Sequence, residues 1–518
     1  MRYLSSVYRT ILIFCLLIAI NKPTPTFQLG TDDPRSIWDL DSIRSVPFDL
    51  RIEPTPAGRY EVEFTSEVWE ATKAPLRIFG VLTVPSGVDP NNSAPAVLLV
   101  HGFGGTHAEM LGLSDRLARI GYISFAIDRP GRGNSGGPAK DWPNDVNVQP
   151  TPKGSYSYHS VVAMIRALQY LSTRSDVKVD INGKKLLGVV GVSRGGVYAL
   201  LQSCIDPNVQ ASVAIIAAGS FDESADDGAS VSIGIRNEAG SRWPIYLQHF
   251  DPLSYAVKGY QLAPVLITIG TNDDRDTLRA VNRTYNAFTG EKEIVLVANY
   301  WHGIHSDMIS ATIGWLNRHL TGTASSLAID SVEWAYDSAS TSWEFKVRTT
   351  SLAGLPTVML YHRVLGGADW SDLRFSKLEW TALRLESDST GAWKATLTIQ
   401  GEFLWFLHVK DDSAPYPNIV TTQVYRADPL RNPTGSVELQ AEQIHTIETK
   451  TPTSIATSLD TTETTVVTEP QNYVSYFYVV VAPVMIVIVL AFLVRRRKPG
   501  SAPKMLTHNT GIAGKFKP

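Results

Sequence analysis

The sequence predicts an α/β unit with a mostly parallel sheet and helices on both faces. A small all-β sandwich of immunoglobulin or fibronectin type follows, and then a C-terminal transmembrane helix. Three observations carry this reading. From about Pro34 to Leu320, short apolar runs alternate with segments of helical periodicity. From Ala328 to Asp428, apolar and polar residues alternate at period two. Tyr473 to Val494, 22 residues, contains no charge.

In the first region, Ala96 to Val100 and Ile123 to Ile127 are apolar runs bounded by turn residues, as in strands covered on both faces. Between them Met110, Leu113, Leu117 and Ile120 recur at helical spacing, and Gly121 stands where a helix ends. Leu186 to Val192, Ala211 to Ala217, Val265 to Ile269 and Ile294 to Val297 read as further strands. Val161, Met164, Ile165, Leu168 and Leu171 mark an amphipathic helix. Strands alternating with helices imply a parallel sheet.

In the second region, Trp343-Glu344-Phe345-Lys346-Val347 and Trp393-Lys394-Ala395-Thr396-Leu397 show the two-residue period. Six of the chain's 12 tryptophans lie here: Trp334, Trp343, Trp370, Trp380, Trp393 and Trp405. They read as the filling of a thin sandwich core, with a carbohydrate platform as the alternative.

The ends have other signatures. Arg2 and Arg9 precede the apolar run Ile11 to Ile20, which reads as a secretory signal. No small-x-small site follows, so an uncleaved anchor is the alternative. The run from Tyr473 to Val494 would span about 33 Å as a helix, enough for a bilayer core. Arg495, Arg496, Arg497 and Lys498 follow it, which puts the tail in the cytoplasm and the folded units outside. Ten of the 23 residues from Thr446 to Thr468 are threonine, as in an extended stalk. Two sequons, at Asn91 and Asn282, would be usable on an exported chain. The resulting plan is a signal at 1–29, the α/β unit at 30–322, the β unit at 323–430, the stalk at 431–472, the helix at 473–494 and a basic tail at 495–518.

Composition excludes several classes. The 518 residues include 47 basic and 50 acidic ones, for a net charge of −3, so no broad basic face is available for nucleic acid. Hydrophobic residues at 44% and charged residues at 19% are ordinary globular values. Two cysteines, Cys15 and Cys204, cannot make a disulfide framework or a cysteine-rich zinc site.

The chemistry concentrates in the α/β unit. Gly191-Val192-Ser193-Arg194-Gly195 matches G-x-S-x-G, between a predicted strand and the helical segment Val197 to Leu201. That context lifts a serine above the sheet on a tight turn. A second match, Gly133 to Gly137, precedes Pro138 and Pro143, so Ser135 reads as a loop serine. The same loop offers G-x-G-x-x-G at Gly131, Gly133 and Gly136, but no helix opens after it to receive a phosphate. His101-Gly102-Phe103-Gly104-Gly105 follows a strand, and there the Phe103 N–H can face a developing oxyanion. The Arg194 N–H would be the second donor, and His101 reads as structural. Downstream, Asp273 follows the predicted strand and turn Leu266 to Asn272, with Asp274 and Asp276 as competitors. His302 follows the last strand, with His305 as its competitor. The acid would orient the imidazole, and the imidazole would take the serine proton. His302 and His305 spell H-x-x-H, but no further ligand cluster accompanies them, so neither a metal nor a cofactor is expected.

These motifs in this order, HGFGG, DRPGRGNSGG, GVSRGG, GTNDD and a histidine before the last helix, resemble the α/β-hydrolase superfamily. The resemblance is nearest to its dienelactone hydrolase and acetyl xylan esterase-like branch, and Leu76 to Pro85 is similar to that branch's lead-in. It covers about Glu61 to Leu320 and says nothing about the β unit, stalk or tail. Tyr300 and Trp301 depart from the small residues that the family pattern places before the histidine. The resemblance implies a serine hydrolase, most simply an esterase acting on a small or polymer-linked ester. A prolyl-oligopeptidase-type peptidase and a non-catalytic envelope or adhesion protein are the alternatives. The expected address is the cell membrane, held by the one C-terminal helix.

Overall fold

A computed structural model describes residues 33–56, 58–69, 72–137, 151–323, 327–367 and 379–438. The apolar runs become strands because both of their faces find cover. The strands are β1 (Arg51–Thr55), β2 (Arg59–Trp69), β3 (Ala74–Thr83), β4 (Ala96–Val100), β5 (Ile123–Ile127), β6 (Leu187–Val192), β7 (Ala211–Ile215), β8 (Val265–Gly270) and β9 (Lys292–Val297). They form one sheet in the order β1-β2-β3-β5-β4-β6-β7-β8-β9. The six strands from β5 to β9 along this order run parallel, while β1, β2 and β3 are antiparallel.

The helices of this unit are α1 (Leu40–Ser45), α2 (Leu111–Arg119), α3 (Tyr156–Thr173), α4 (Arg194–Ile205), α5 (Phe221–Asp226), α6 (Ser230–Ala239), α7 (Trp243–Phe250), α8 (Pro252–Ala256), α9 (Leu278–Ala287) and α10 (Ser306–Leu316). On β4, Ala96, Leu98 and Val100 join the core under α3 and α4. Val97 and Leu99 join the opposite core under α2 and α10. Each fully buried leucine of this kind contributes roughly 1.5–3 kcal/mol. The predicted strands and helices all appear. The antiparallel β1 to β3 and the group α5 to α8, inserted between β7 and β8, were not legible as elements.

Ten further strands follow: β10 (Leu327–Asp337), β11 (Ser342–Ser351), β12 (Thr357–Val364), β13 (Thr381–Arg384), β14 (Glu386–Ser387), β15 (Trp393–Thr398), β16 (Phe403–Lys410), β17 (Ile419–Thr421), β18 (Tyr425–Ala427) and β19 (Thr434–Glu438). They form two antiparallel sheets, β14-β15-β11-β10-β19 and β13-β12-β16-β17, with β18 also on β16. Trp343 and Trp405 are fully buried between them, and Trp393 nearly so. Trp380 is buried against the α/β core instead. Trp334 packs edge-on to Trp405 at 5.2 Å. Four of these five tryptophans are buried core residues, Trp334 is half-buried against the sandwich core, and Trp370 lies outside the described residues.

Two expectations change. The β unit does not end at residue 430, because Thr434 to Glu438 pairs along β10 with Val437 opposite Val332. This strand is short and lies beside the threonine-rich run, which hid it. The Asn282 sequon falls on α9, where the Asn282 Nδ2 donates to the Val424 carbonyl at 2.7 Å and Thr284 is fully buried. That amide is committed to packing and unsuited to carry a glycan. Asn91 is exposed. Among the described residues, no helix is long and apolar enough to cross a membrane. The signal at 1–29, the helix at 473–494 and the tail at 495–518 lie outside the described residues, as does the stalk beyond Glu438.

The two sheet systems belong to one compact unit. Strand β16 explains why. Phe403, Trp405, Leu407 and Val409 fill the sandwich core, while Leu404 and Phe406 on the opposite face enter the α/β core. A strand buried on both faces reads as a continuous apolar run, as Phe403 to Leu407 does.

Candidate active site

The parallel strands end on one edge of the sheet, and three of their exit loops converge there. Ser193 sits between β6 and α4 at φ 51°, ψ −120°, a left-handed backbone uncommon for serine. Two glycines allow this turn. A Cβ on Gly191 would lie 2.0 Å from the Gly195 carbonyl oxygen, and one on Gly195 would lie 2.4 Å from that of Val100. The turn therefore presses against β4 with no side chain between, and Ser193 is left half-exposed at its tip.

The Ser193 Oγ lies 2.9 Å from the His302 Nε2, and the His302 Nδ1 lies 2.7 Å from the Asp273 Oδ2. The Asp273 side chain is 1% exposed and that of His302 8%. The other Asp273 oxygen accepts the N–H groups of Arg275 and Asp276, so the carboxylate cannot turn away from the imidazole. Burial pulls the His302 pKa down, but the Asp273 hydrogen bond and charge outweigh it and the net shift is upward.

The competing residues have other work. His305 caps α10, where its Nδ1 accepts the Asp307 N–H at 3.1 Å. Asp274 is exposed. Asp276 is close: its carboxylate, that of Asp273 and a His302 ring nitrogen lie within 4.8 Å of one another. It accepts the Ala218 N–H at 3.3 Å. Burial, and then the Asp273 charge, raise its pKa to about 7. Sequence spacing had placed Asp276 as a rival to Asp273; the structure puts both beside one imidazole.

The glycine-rich turn after β4 stands next to the serine. A Cβ on Gly102 would be 3.3 Å from the Ser193 Cβ. The turn is fixed from below. The His101 Nδ1 donates to the Gly102 carbonyl at 2.8 Å, while its Nε2 accepts the Arg129 N–H at 3.1 Å. Arg129, fully buried, donates its Nη2 to the same carbonyl at 2.7 Å. Burial, then the Arg129 charge, hold His101 at about 3, so the ring stays neutral. Phe103 and Arg194, the predicted N–H donors, thus occupy the turn beside Ser193 and the first position of α4.

Ser135 is a tied residue. Its Oγ donates to the Asp128 carbonyl and accepts the Phe79 N–H, both at 2.8 Å. The Asp128 carboxylate accepts the N–H groups of His107 and Asn134. The loop that looked like a phosphate cradle is thus wrapped around a buried acid. Sequence reasoning missed Arg129 and Thr271, whose side chains hold backbone that faces the serine and the imidazole. Their only signal was position within motifs already singled out.

Residues 97–312 match the model of the alpha/beta hydrolase family. No curated protein matches the chain. Among solved structures, the chain is similar to acetyl xylan esterase 1 from Thermoanaerobacterium sp. JW/SL YS485 at 17% identity, covering 53% of this chain and 89% of that one, with a TM-score of 0.45. It is similar to the acetyl xylan esterase from Paenibacillus sp. R4 at 20% identity, covering 57% and 97%, with a TM-score of 0.47. It is also similar to a cold-adapted esterase from an Arctic intertidal metagenomic library at 18% identity, covering 53% and 100%, with a TM-score of 0.35. The matched span runs from β4 to α10 and contains the parallel strands, the serine turn and the histidine loop, so the α/β unit of this chain has the α/β-hydrolase fold.

Proposed function

We propose that the chain is a serine hydrolase of carboxylic esters, with Ser193 as nucleophile, His302 as general base and Asp273 as the acid that orients it. The observation that carries this is the unbroken run from the Asp273 Oδ2 to the His302 Nδ1 at 2.7 Å and from the His302 Nε2 to the Ser193 Oγ at 2.9 Å. In the first half-reaction, Oγ bonds to the ester carbonyl carbon and its proton passes to the His302 Nε2. The carbonyl oxygen takes up negative charge beside the Phe103 and Arg194 N–H groups. The C–O bond then breaks, and the alcohol leaves with the proton from His302. Water repeats the sequence on the acyl-enzyme and releases the acid.

An ester substrate is favoured over a peptide for one structural reason. Among the described residues before β4 there are one 3-10 turn, one short helix and three strands, and none forms a propeller over the site. A fluorophosphonate probe tests the mechanism, and paired ester and amide substrates test the bond class. No labelling of Ser193 would favour the non-catalytic reading. Faster turnover of amides would favour the peptidase.

Membrane anchoring belongs to the same proposal and rests on sequence: the uncharged run 473–494 followed by Arg495 to Lys498. Protease treatment of intact cells tests it. Release of the hydrolase unit is the expected result, and full protection would reverse the orientation.

A further inference from the structure

We propose that the antiparallel β unit is part of the catalytic apparatus, with Asn299 as a positioning residue that ties the His302 loop to the backbone of Trp380. The proposal rests on the reading of Ser193 and His302 as nucleophile and base.

The loop between β9 and α10 carries His302 three residues after Asn299. Two of its large side chains do not anchor it by burial, since Trp301 is 62% exposed and Ile304 45% exposed. Polar ties hold it instead. Asn299 has φ 56°, a left-handed conformation that asparagine tolerates better than most residues. Its backbone N–H donates to the Thr271 Oγ1 at 2.9 Å, on the turn that carries Asp273. Its side chain reaches the other way. The Nδ2 donates to the Trp380 carbonyl at 2.9 Å, and the Oδ1 accepts the Trp380 N–H at 2.7 Å. Both atoms of the amide thus pair with the backbone N–H and carbonyl of one residue of the β unit, as a neighbouring strand would.

The anchor is buried. Trp380 is 3% exposed and packs edge-on to Phe406 of β16 at 5.2 Å. On the far side of His302, Asp307 opens α10 and accepts the Lys410 Nζ of β16 at 2.8 Å, with the His408 Nε2 at 3.6 Å. The β unit also covers the open edge of β9. The Thr421 Oγ1 accepts the Leu296 N–H and donates to the Ile294 carbonyl. The segment carrying His302 is therefore held at both ends by the same unit. Displacing an imidazole by about 1 Å can cost up to ~100-fold in rate.

An internal control exists. Asn282 on α9 makes the same kind of clamp on Val424, with Nδ2 to the carbonyl at 2.7 Å and the N–H to Oδ1 at 3.4 Å, but it lies on a helix that carries none of the proposed catalytic residues. The test uses the full chain, a small p-nitrophenyl ester and a fluorophosphonate. Asn299→Gly keeps the backbone conformation and removes the clamp. We expect its kcat to fall about 10- to 100-fold with KM within about threefold of wild type. The acid limb of its kcat/KM profile should move to lower pH, since an imidazole held less closely by Asp273 gives up its proton sooner; Asp276 and Arg275 face the same ring. Asn282→Ala should lower the melting temperature and leave kcat and the acid limb in place. A full-turnover Asn299→Gly overturns the proposal, as does an Asn282→Ala whose kcat falls equally. If Asn299→Gly does not fold, Asn299→Asp keeps the acceptor for the Trp380 N–H and loses the donor, and unchanged turnover there also overturns it. Absence of Ser193-dependent labelling in wild type would overturn the underlying reading, whereas labelling with a fully active Asn299→Gly overturns the positioning role alone.

Discussion

A Cβ on Gly270 would stand 2.1 Å from the carbonyl oxygen of Tyr300. The end of β8 and the loop that carries His302 are therefore in backbone contact, sealed by the Asn272 N–H on that same carbonyl at 2.9 Å. The turn that carries Asp273 and the loop that carries His302 are thus joined through backbone. Gly270→Ala must push them apart. We expect a loss of about 1–3 kcal/mol in denaturant unfolding and a fall in turnover per folded molecule. Full activity would mean that the loop tolerates the shift.

Ser193→Ala should abolish fluorophosphonate labelling and leave the thermal transition nearly unchanged, because alanine inherits the same left-handed backbone. Ser193→Gly should melt higher, by about 1 kcal/mol of stability, since a non-glycine residue in that region costs on the order of 1–3 kcal/mol. Labelling of the alanine variant would remove Ser193 as nucleophile.

His302→Ala should cost several orders of magnitude in turnover on a small ester, as the serine hydroxyl is a weak nucleophile without its base. His305→Ala should act on stability, about 0.5–2 kcal/mol for a lost helix cap, with turnover reduced ~10-fold or less. The reverse ranking would move the base to His305.

The pH profile has a definite sign. His302 must be neutral to accept the serine proton, and its pKa lies above the ordinary 6.5. The acid limb of kcat/KM should therefore fall above pH 6.5. Asp276→Asn removes a negative charge that favours the imidazolium, so the limb should move to lower pH with the plateau retained. Stability gives a second check. The folded pKa of Asp276, about 7, exceeds the ordinary carboxylate value of 3.8. Its contribution is full below pH ~4 and is lost as pH rises through about 7. Asp276→Asn should accordingly stabilise the protein above pH 7 relative to wild type and do little near pH 4. An unmoved limb would show that Asp276 does not act on the imidazole.

A fragment spanning 33–438 should be soluble, and one ending at 430 should unfold at lower denaturant. The shorter piece lacks β19 and exposes the edge of β10 from Ser331 to Ala335. Equal midpoints would make β19 dispensable.

Sequence alone determined the parallel strands, the helices α2, α3, α4 and α10, Ser193 as the serine of the strand–turn–helix, and the chain order of serine, acid and histidine, with Asp273 and His302 each facing a competitor. These depend on local periodicity and on turns that only a few residue types can make, such as Gly191 and Gly195 around the serine. Tertiary structure alone decided between His302 and His305 as the ring beside Ser193, because three residues of loop separate a side chain over the sheet from one capping a helix. It also decided what surrounds that ring. Asp276 approaches from its own turn, while Trp380 and Lys410 belong to a unit encoded some 80 to 100 residues downstream, and Arg129 and Gly102 meet across two strands. A side-chain hydrogen bond to a distant backbone leaves no period in the sequence. Asn299 reads as an ordinary loop asparagine until the fold brings Trp380 against it.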